Sequence, residues 1–303
     1  MMSSGRYPST TGDALKLFLP GQKISLKPFD SERPEVSFTV CKLSVPVTKS
    51  IVVLAKPDGS EGGPDYVVIK IFDPRYLDER ISNVPSRASY LWNLVNEQAA
   101  AAVHPQNSKL SEDDLVEKIY SDDPEDLSGE SLATHYIFWE ERFYRLLMDS
   151  YNVEHKAYKR LKDFQGSAIP RLIMAGQFLS PDQRAIQPPA LVLEYIPSVN
   201  LQNIPSASIT PAICSQLLSA IENFPLHGVI HNDMTLTNIH FTPPEQPVRG
   251  FVIDFGCAVI REEGDDEEYW AAHGLSDLRW AKRLLEDEDL RKSFGAGRMT
   301  GFK

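Results

Sequence analysis

Apolar and polar positions change rhythm along this chain. In the first part the runs are short. Residues 37–43 carry Phe38, Val40 and Leu43, residues 51–55 are apolar throughout, and residues 66–72 read YVVIKIF, interrupted by Lys70. Such runs predict strands. Between the last two lie Asp58-Gly59 and Gly62-Gly63, which are turn signals, so a three-stranded antiparallel start is expected. Later the period lengthens. Phe138, Phe143, Leu146, Leu147, Val153, Ala157, Tyr158 and Leu161 recur at helical spacing, ended by Gly166 and Pro170. This is one bent helix or two, with Asp149 and Ser150 available to cap a second. Strands are expected at 171–178 and 190–196. A helix is expected at 211–224, with Ile213, Leu217, Leu218 and Ile221 inward, and a last helix at 275–290.

Other stretches lack a regular pattern. Residues 1–35 read as a loosely held tail. A helix could form at 90–103. Residues 112–130 hold nine acids and one lysine, and read as a solvated segment. Residues 261–268 hold six acids in eight positions. Either acidic run could dock a basic partner, although a solvated surface explains both. With strands mostly first and helices mostly later, the pattern gives an α+β protein of two lobes. The expected division is a flexible segment over 1–35, a first lobe over 36–196 with an insertion at 73–135, and a reduced second lobe over 197–303.

Composition narrows the function. The 303 residues are 42% hydrophobic, ordinary for a globular chain. The formal net charge is −11 and no basic cluster is present, which argues against nucleic acid as a partner. No apolar run is long enough to span a bilayer, so no membrane partner is expected. The N-terminal residues lack the pattern of a secretory signal. Cys41, Cys214 and Cys257 are odd in number and far apart, which fits neither a disulfide framework nor a zinc site. An intracellular place, cytoplasmic or nuclear, is expected.

The chemistry concentrates in residues 231–256, HNDMTLTNIHFTPPEQPVRGFVIDFG. His231, Asp233 and Asn238 form H-x-D-x-x-x-x-N. Sixteen residues after Asn238 come Asp254-Phe255-Gly256, behind the apolar Phe251, Val252 and Ile253. Lys70 puts a long cation in an apolar strand, which is costly unless it has a partner or faces water from an edge strand. The loop motif, with Val67-Val68-Ile69-Lys70, resembles the protein-kinase-like superfamily. Phe72-Asp73-Pro74-Arg75-Tyr76, Phe138-Trp139-Glu140 and Ala157-Tyr158 resemble compact fungal members of it. The resemblance covers about residues 36–290.

The resemblance implies a two-lobed protein-kinase-like fold, a small antiparallel β-sheet lobe plus a shortened, mainly helical one. It implies ATP and Mg2+, and transfer of the γ-phosphate to a hydroxyl on an unknown protein or small molecule. Asp233 would be the catalytic base. Asn238 and Asp254 would hold magnesium. Lys70 would contact the phosphates, with Glu154 as its helix carboxylate and Glu140 and Glu141 as competitors. Backbone groups of Glu194 and Ile196 would read the adenine. His231 would brace the Asp254 turn. Its spacing from His227 would suit a helical metal pair, but Gly228 and the strand-like Val229-Ile230 oppose that. Asp277 resembles the buried aspartate that starts the core helix of the large lobe, or it is a helix N-terminal acid.

The departures are specific. No glycine-rich turn joins the first two strands, where residues 44–50 read SVPVTKS. Asn232 stands where the family has arginine, which argues against control by loop phosphorylation. Thr235 stands where it has lysine. The segment after Gly256 is short, as in small-molecule kinases. The alternative reading is a pseudokinase, a nucleotide-binding or scaffold module without transfer.

Overall fold

The computed structural model describes residues 15–30, 32–59, 62–81, 89–121 and 126–296. The chain divides into two compact units. The first comprises Met1–Tyr151 and Ile173–Leu193, the second Asn152–Leu172 and Glu194–Lys303. These bounds differ from the expected break at 196/197. The ends of two elements account for the difference: one long helix changes unit after Tyr151, and a strand ends at Glu194.

The first unit is built on a closed barrel. Its strands are β1 (Lys23–Pro28), β2 (Val36–Leu43), β3 (Ile51–Pro57), β4 (Val67–Ile71), β5 (Leu172–Phe178) and β6 (Pro189–Glu194), in the order β1-β2-β3-β4-β6-β5. Alternation turns Ile51, Val53 and Ala55 of β3, and Val67, Ile69 and Ile71 of β4, into one buried cluster with Ile24, Leu26 and Phe178. The three expected strands are therefore half of a larger sheet. Closure comes from β1, which pairs antiparallel with both β2 and β5. A loosely held segment over 1–35 does not describe residues 15–30. There Phe18, Ile24 and Leu26 are fully or almost fully buried. Residues 1–14 lie outside the described residues.

The expected insertion is largely helical where described. Helix α1 (Leu94–Asn107) is capped by Asn93. Helix α2 (Glu112–Tyr120) occupies part of the acidic stretch expected to be a solvated segment. A reciprocal capping box between Ser111 and Asp114 starts it, and Leu115 and Ile119 anchor its apolar face, so its acids are the outer face of a helix. Residues 122–125 lie outside the described residues. Helix α3 (Gly129–Arg160) is a single helix of 32 residues, with Asp149 and Ser150 inside it.

An ion network stiffens this unit. The Asp73 carboxylate takes bonds from Arg75 Nη2 at 2.7 Å and Arg184 Nη1 at 2.8 Å, and Arg184 also reaches Glu97 at 2.6 Å. All four side chains are buried. Burial alone would raise the Asp73 pKa. Arg184 and Arg75 overcome that and hold it below the usual carboxylate range.

The second unit holds the end of α3 with α4 (Pro211–Asn223), α5 (Glu267–Glu286) and α6 (Glu288–Ala296). Thr210 caps α4 and Pro211 opens it, a favourable start, and Ile213, Leu217 and Ile221 face inward. The expected last helix is thus two, and the first begins earlier, at Glu267. Two small sheets complete the unit. One has the order β10-β9-β7, from β7 (Val199–Asn200), β9 (Ile239–Thr242) and β10 (Arg249–Val252). The other pairs β8 (Val229–Ile230) with β11 (Val259–Ile260). Among the described residues, no helix is long and apolar enough to cross a membrane.

Candidate active site

The segment between Asn238 and Asp254 is a β-hairpin. Strands β9 and β10 pair antiparallel, with Ile239 opposite Val252. The residues just outside that pair, Asn238 and Ile253, therefore meet, and the Ile253 N–H donates to the Asn238 carbonyl at 3.0 Å. In this way the sequence spacing becomes a spatial one: the loop bearing Asp233 and the turn bearing Asp254 emerge side by side.

His231 fastens them. Its ring is fully buried. Nε2 donates to the Ile253 carbonyl at 2.9 Å, and Nδ1 accepts the Asp233 N–H at 3.2 Å. The two bonds together require a neutral ring with its proton on Nε2. Burial favours the same state, pushing the imidazole pKa below its usual value. The ring also packs edge-on against Phe255, 4.8 Å between centroids. His227 packs instead on Phe164, so the two histidines are held by different aromatic neighbours.

Asp277 holds the same loop from α5. Its carboxylate accepts the backbone N–H of His231 at 2.6 Å and of Asn232 at 3.1 Å. It lies within α5, well past Glu267, so it is not an acid at a helix N-terminus. Burial raises its pKa, against the pull of these N–H groups.

Asn238 directs its amide Nδ2 to the Asp233 carbonyl at 2.9 Å and to Asp233 Oδ2 at 3.0 Å. Its Oδ1 is thereby turned away from Asp233. Asp254 has φ 66°, and its Oδ1 accepts the Gly256 N–H at 3.3 Å. The donor set this offers is an amide oxygen and a carboxylate. Magnesium prefers hard oxygen ligands and is commonly held by one or two carboxylates, with waters and substrate phosphates completing the shell. Among the described residues, no group of three or more His, Cys, Asp or Glu could hold a metal alone. The residues fit a metal shared with a phosphate ligand.

Glu154 is fully buried on α3, in the second unit. Tyr158, one turn further on, packs against Phe255 with 5.6 Å between ring centroids. Burial, then the charges of Glu154 and Asp254, push the Tyr158 hydroxyl well above the usual tyrosine range. Glu154, Tyr158 and Asp254 are thus electrostatic neighbours. In the sequence Tyr158 carries no site role; its i,i+4 spacing from Glu154 is the signal that joins it to the site. The competitors of Glu154 are committed elsewhere. Glu140 takes both Nη groups of Arg80, and Glu141 binds His104 and Arg145.

Lys70 belongs to the first unit. It lies on β4 opposite Val52, between Ile69 and Ile71, which face the barrel core, so it points to the other face. It is 7% exposed, and its Nζ sits 5.3 Å from the centre of the Phe72 ring. Glu194 ends β6. Its carboxylate binds Arg171, and its N–H donates to the Arg171 carbonyl at 2.9 Å. Ile196 follows the strand end, and among the described residues its backbone makes no backbone hydrogen bond.

The chain is similar in structure to protein kinase domains. The kinase domain of PknI from Mycobacterium tuberculosis matches 82% of this chain and 74% of its own, at 15% identity and a TM-score of 0.40. The Rio2 kinase from Chaetomium thermophilum, in a complex with ADP/Mg2+ and phosphoaspartate, matches 83% of this chain and 57% of its own, at 14% identity and a TM-score of 0.39. No family model matches the sequence, and no curated protein matches it.

Proposed function

We propose that this chain is an ATP- and magnesium-dependent phosphotransferase that moves the γ-phosphate to a hydroxyl acceptor, on a small molecule or a protein Ser or Thr. The observation that carries this reading is the hairpin that gathers Asp233, Asn238 and Asp254, with His231 and Asp277 fixing the loop. Asp233 orients the acceptor hydroxyl and accepts its proton. The acceptor oxygen bonds to the γ-phosphorus as the bond to the β,γ-bridging oxygen breaks, and ADP leaves. Asn238 Oδ1 and the Asp254 carboxylate would hold the magnesium, which supplies positive charge to the phosphates when bound.

The remaining roles follow the same reading. Lys70 contacts the α- and β-phosphates, and Glu154 supplies a buried carboxylate to the site. The Glu194 N–H is already spent on Arg171, so its carbonyl accepts from the adenine amine while the Ile196 N–H donates to the ring.

A second reading, a nucleotide-binding module without transfer, is favoured by two features: SVPVTKS between β2 and β3 in place of glycines, and Thr235 in place of a cation. A thermal-shift titration with ATP, with and without magnesium, separates the readings. A ligand at one hundred times its Kd stabilises by about 2.7 kcal/mol. Phosphotransfer requires stabilisation that depends on magnesium. Stabilisation indifferent to the metal would favour the second reading.

A further inference from the structure

Two described residues other than glycine have positive φ, Asn232 at 59° and Asp254 at 66°. Both lie within the candidate site, and Asn232 directly precedes Asp233. The left-handed region is disfavoured for residues with a Cβ, and Asn and Asp tolerate it best. Strained backbone of this kind persists where the surroundings over-determine it, and it concentrates at working sites.

Asn232 is exposed, so packing does not impose the conformation. Hydrogen bonds at both ends do. Its backbone N–H donates to the Asp277 carboxylate at 3.1 Å, and its side-chain Nδ2 donates to the Cys257 carbonyl at 3.2 Å. The second bond completes a bracket. His231 Nε2 holds the carbonyl of Ile253, just before Asp254-Phe255-Gly256, and Asn232 Nδ2 holds the carbonyl of Cys257, just after it. The turn that carries Asp254 is therefore tied on both sides to the loop that carries Asp233. A right-handed residue at 232 would redirect the chain entering Asp233. A residue without a side-chain donor would release the far side of the turn. The tie uses a neutral amide, so it is built in and needs no added charge.

We propose that Asn232 is a positioning residue that fixes the Asp233 carboxylate relative to Asp254, through the Cys257 carbonyl. This rests on the phosphotransferase reading. The amide acts on geometry and touches neither nucleotide nor acceptor, so its loss should appear in turnover and not in nucleotide affinity.

The test uses the full chain with Asn232→Gly and Asn232→Asp. Both substitutions tolerate positive φ, and both delete the donor. Misplacing a reacting group by about an ångström costs on the order of a hundredfold. We expect kcat to fall about tenfold or more in both variants, with KM for magnesium-ATP within about twofold of wild type. Melting temperature should stay within about 2 °C, as for a surface change. Amide hydrogen exchange in residues 257–260 should speed up. Wild-type kcat in Asn232→Gly would overturn the proposal. So would a loss carried by KM or by melting temperature, which would make Asn232 a nucleotide-binding or folding residue. A wild-type chain without turnover would remove the phosphotransferase reading and the positioning role together. An active wild type with an equally active Asn232→Gly would remove the positioning role alone.

Discussion

The Asp277 carboxylate accepts the backbone N–H of His231 at 2.6 Å, and it reaches the N–H of Asn232 as well. One side chain on α5 thus satisfies two consecutive donors of the loop that carries Asp233. Asp277→Ala would leave both without that acceptor. Each lost acceptor costs about 1–3 kcal/mol, so urea melts should show a loss of about 2–6 kcal/mol. Asp277→Asn, which keeps one acceptor oxygen, should lose about half as much. A loss below about 0.5 kcal/mol in the alanine variant would mean that the loop holds its shape unaided.

Asp73 should make the first unit sensitive to acid. Its folded-state pKa is depressed, because Arg184 and Arg75 outweigh the cost of burial. Its contribution is fully present above the unfolded value of about 3.9 and is lost as pH falls through the folded value. Asp73→Asn should cost about 3–5 kcal/mol at neutral pH, since it leaves Arg75 and Arg184 short of a buried partner. Chemical melts across a pH series should show the gap to wild type narrowing below about pH 4. A gap that stays constant with pH would show that the carboxylate's charge does not stabilise the fold.

Gly176 tests the closing of the barrel. A Cβ there would lie 2.5 Å from the Lys27 carbonyl oxygen and 3.1 Å from the Pro28 Cα, both backbone atoms of β1. Backbone cannot swing aside as a side-chain tip can. Gly176→Ala should therefore destabilise by about 1–3 kcal/mol, the usual cost of overpacking. An unchanged melt would argue that β1 does not lie against β5.

The loop residues Asp233, Asn238 and Asp254 stand out in the sequence through a motif resemblance; that the segment between Asn238 and Asp254 is a hairpin, which turns separation in sequence into proximity, appears only in the structure. Strand β1 escaped because its alternation amounts to Ile24 and Leu26 before a proline, and because its partner β5 lies far along the chain. Helix α2 escaped because the count of acids masked Leu115 and Ile119, an i,i+4 pair behind the Ser111 cap. Asn232 was legible as a missing arginine. Its bond to Cys257 depends on a positive φ that composition does not reveal.

Lys70 should matter to the nucleotide more than to the fold. Lys70→Met keeps an apolar stem against Phe72 and removes the charge. KM for ATP should rise about tenfold or more, in line with the loss of a charge-assisted phosphate contact. An unchanged KM would take Lys70 out of the site.

Asp254 carries the central claim, and magnesium-dependent ATP turnover by wild type and by Asp254→Asn tests it most directly. The amide keeps the shape of the turn and the tolerance of φ 66° while removing the charge that would hold the metal. Wild type should turn over ATP only with magnesium, and Asp254→Asn should lose at least about a hundredfold, the scale seen when a transition-state charge stabiliser is removed. Equal turnover in the two proteins, or none in wild type, would contradict phosphoryl transfer at this site.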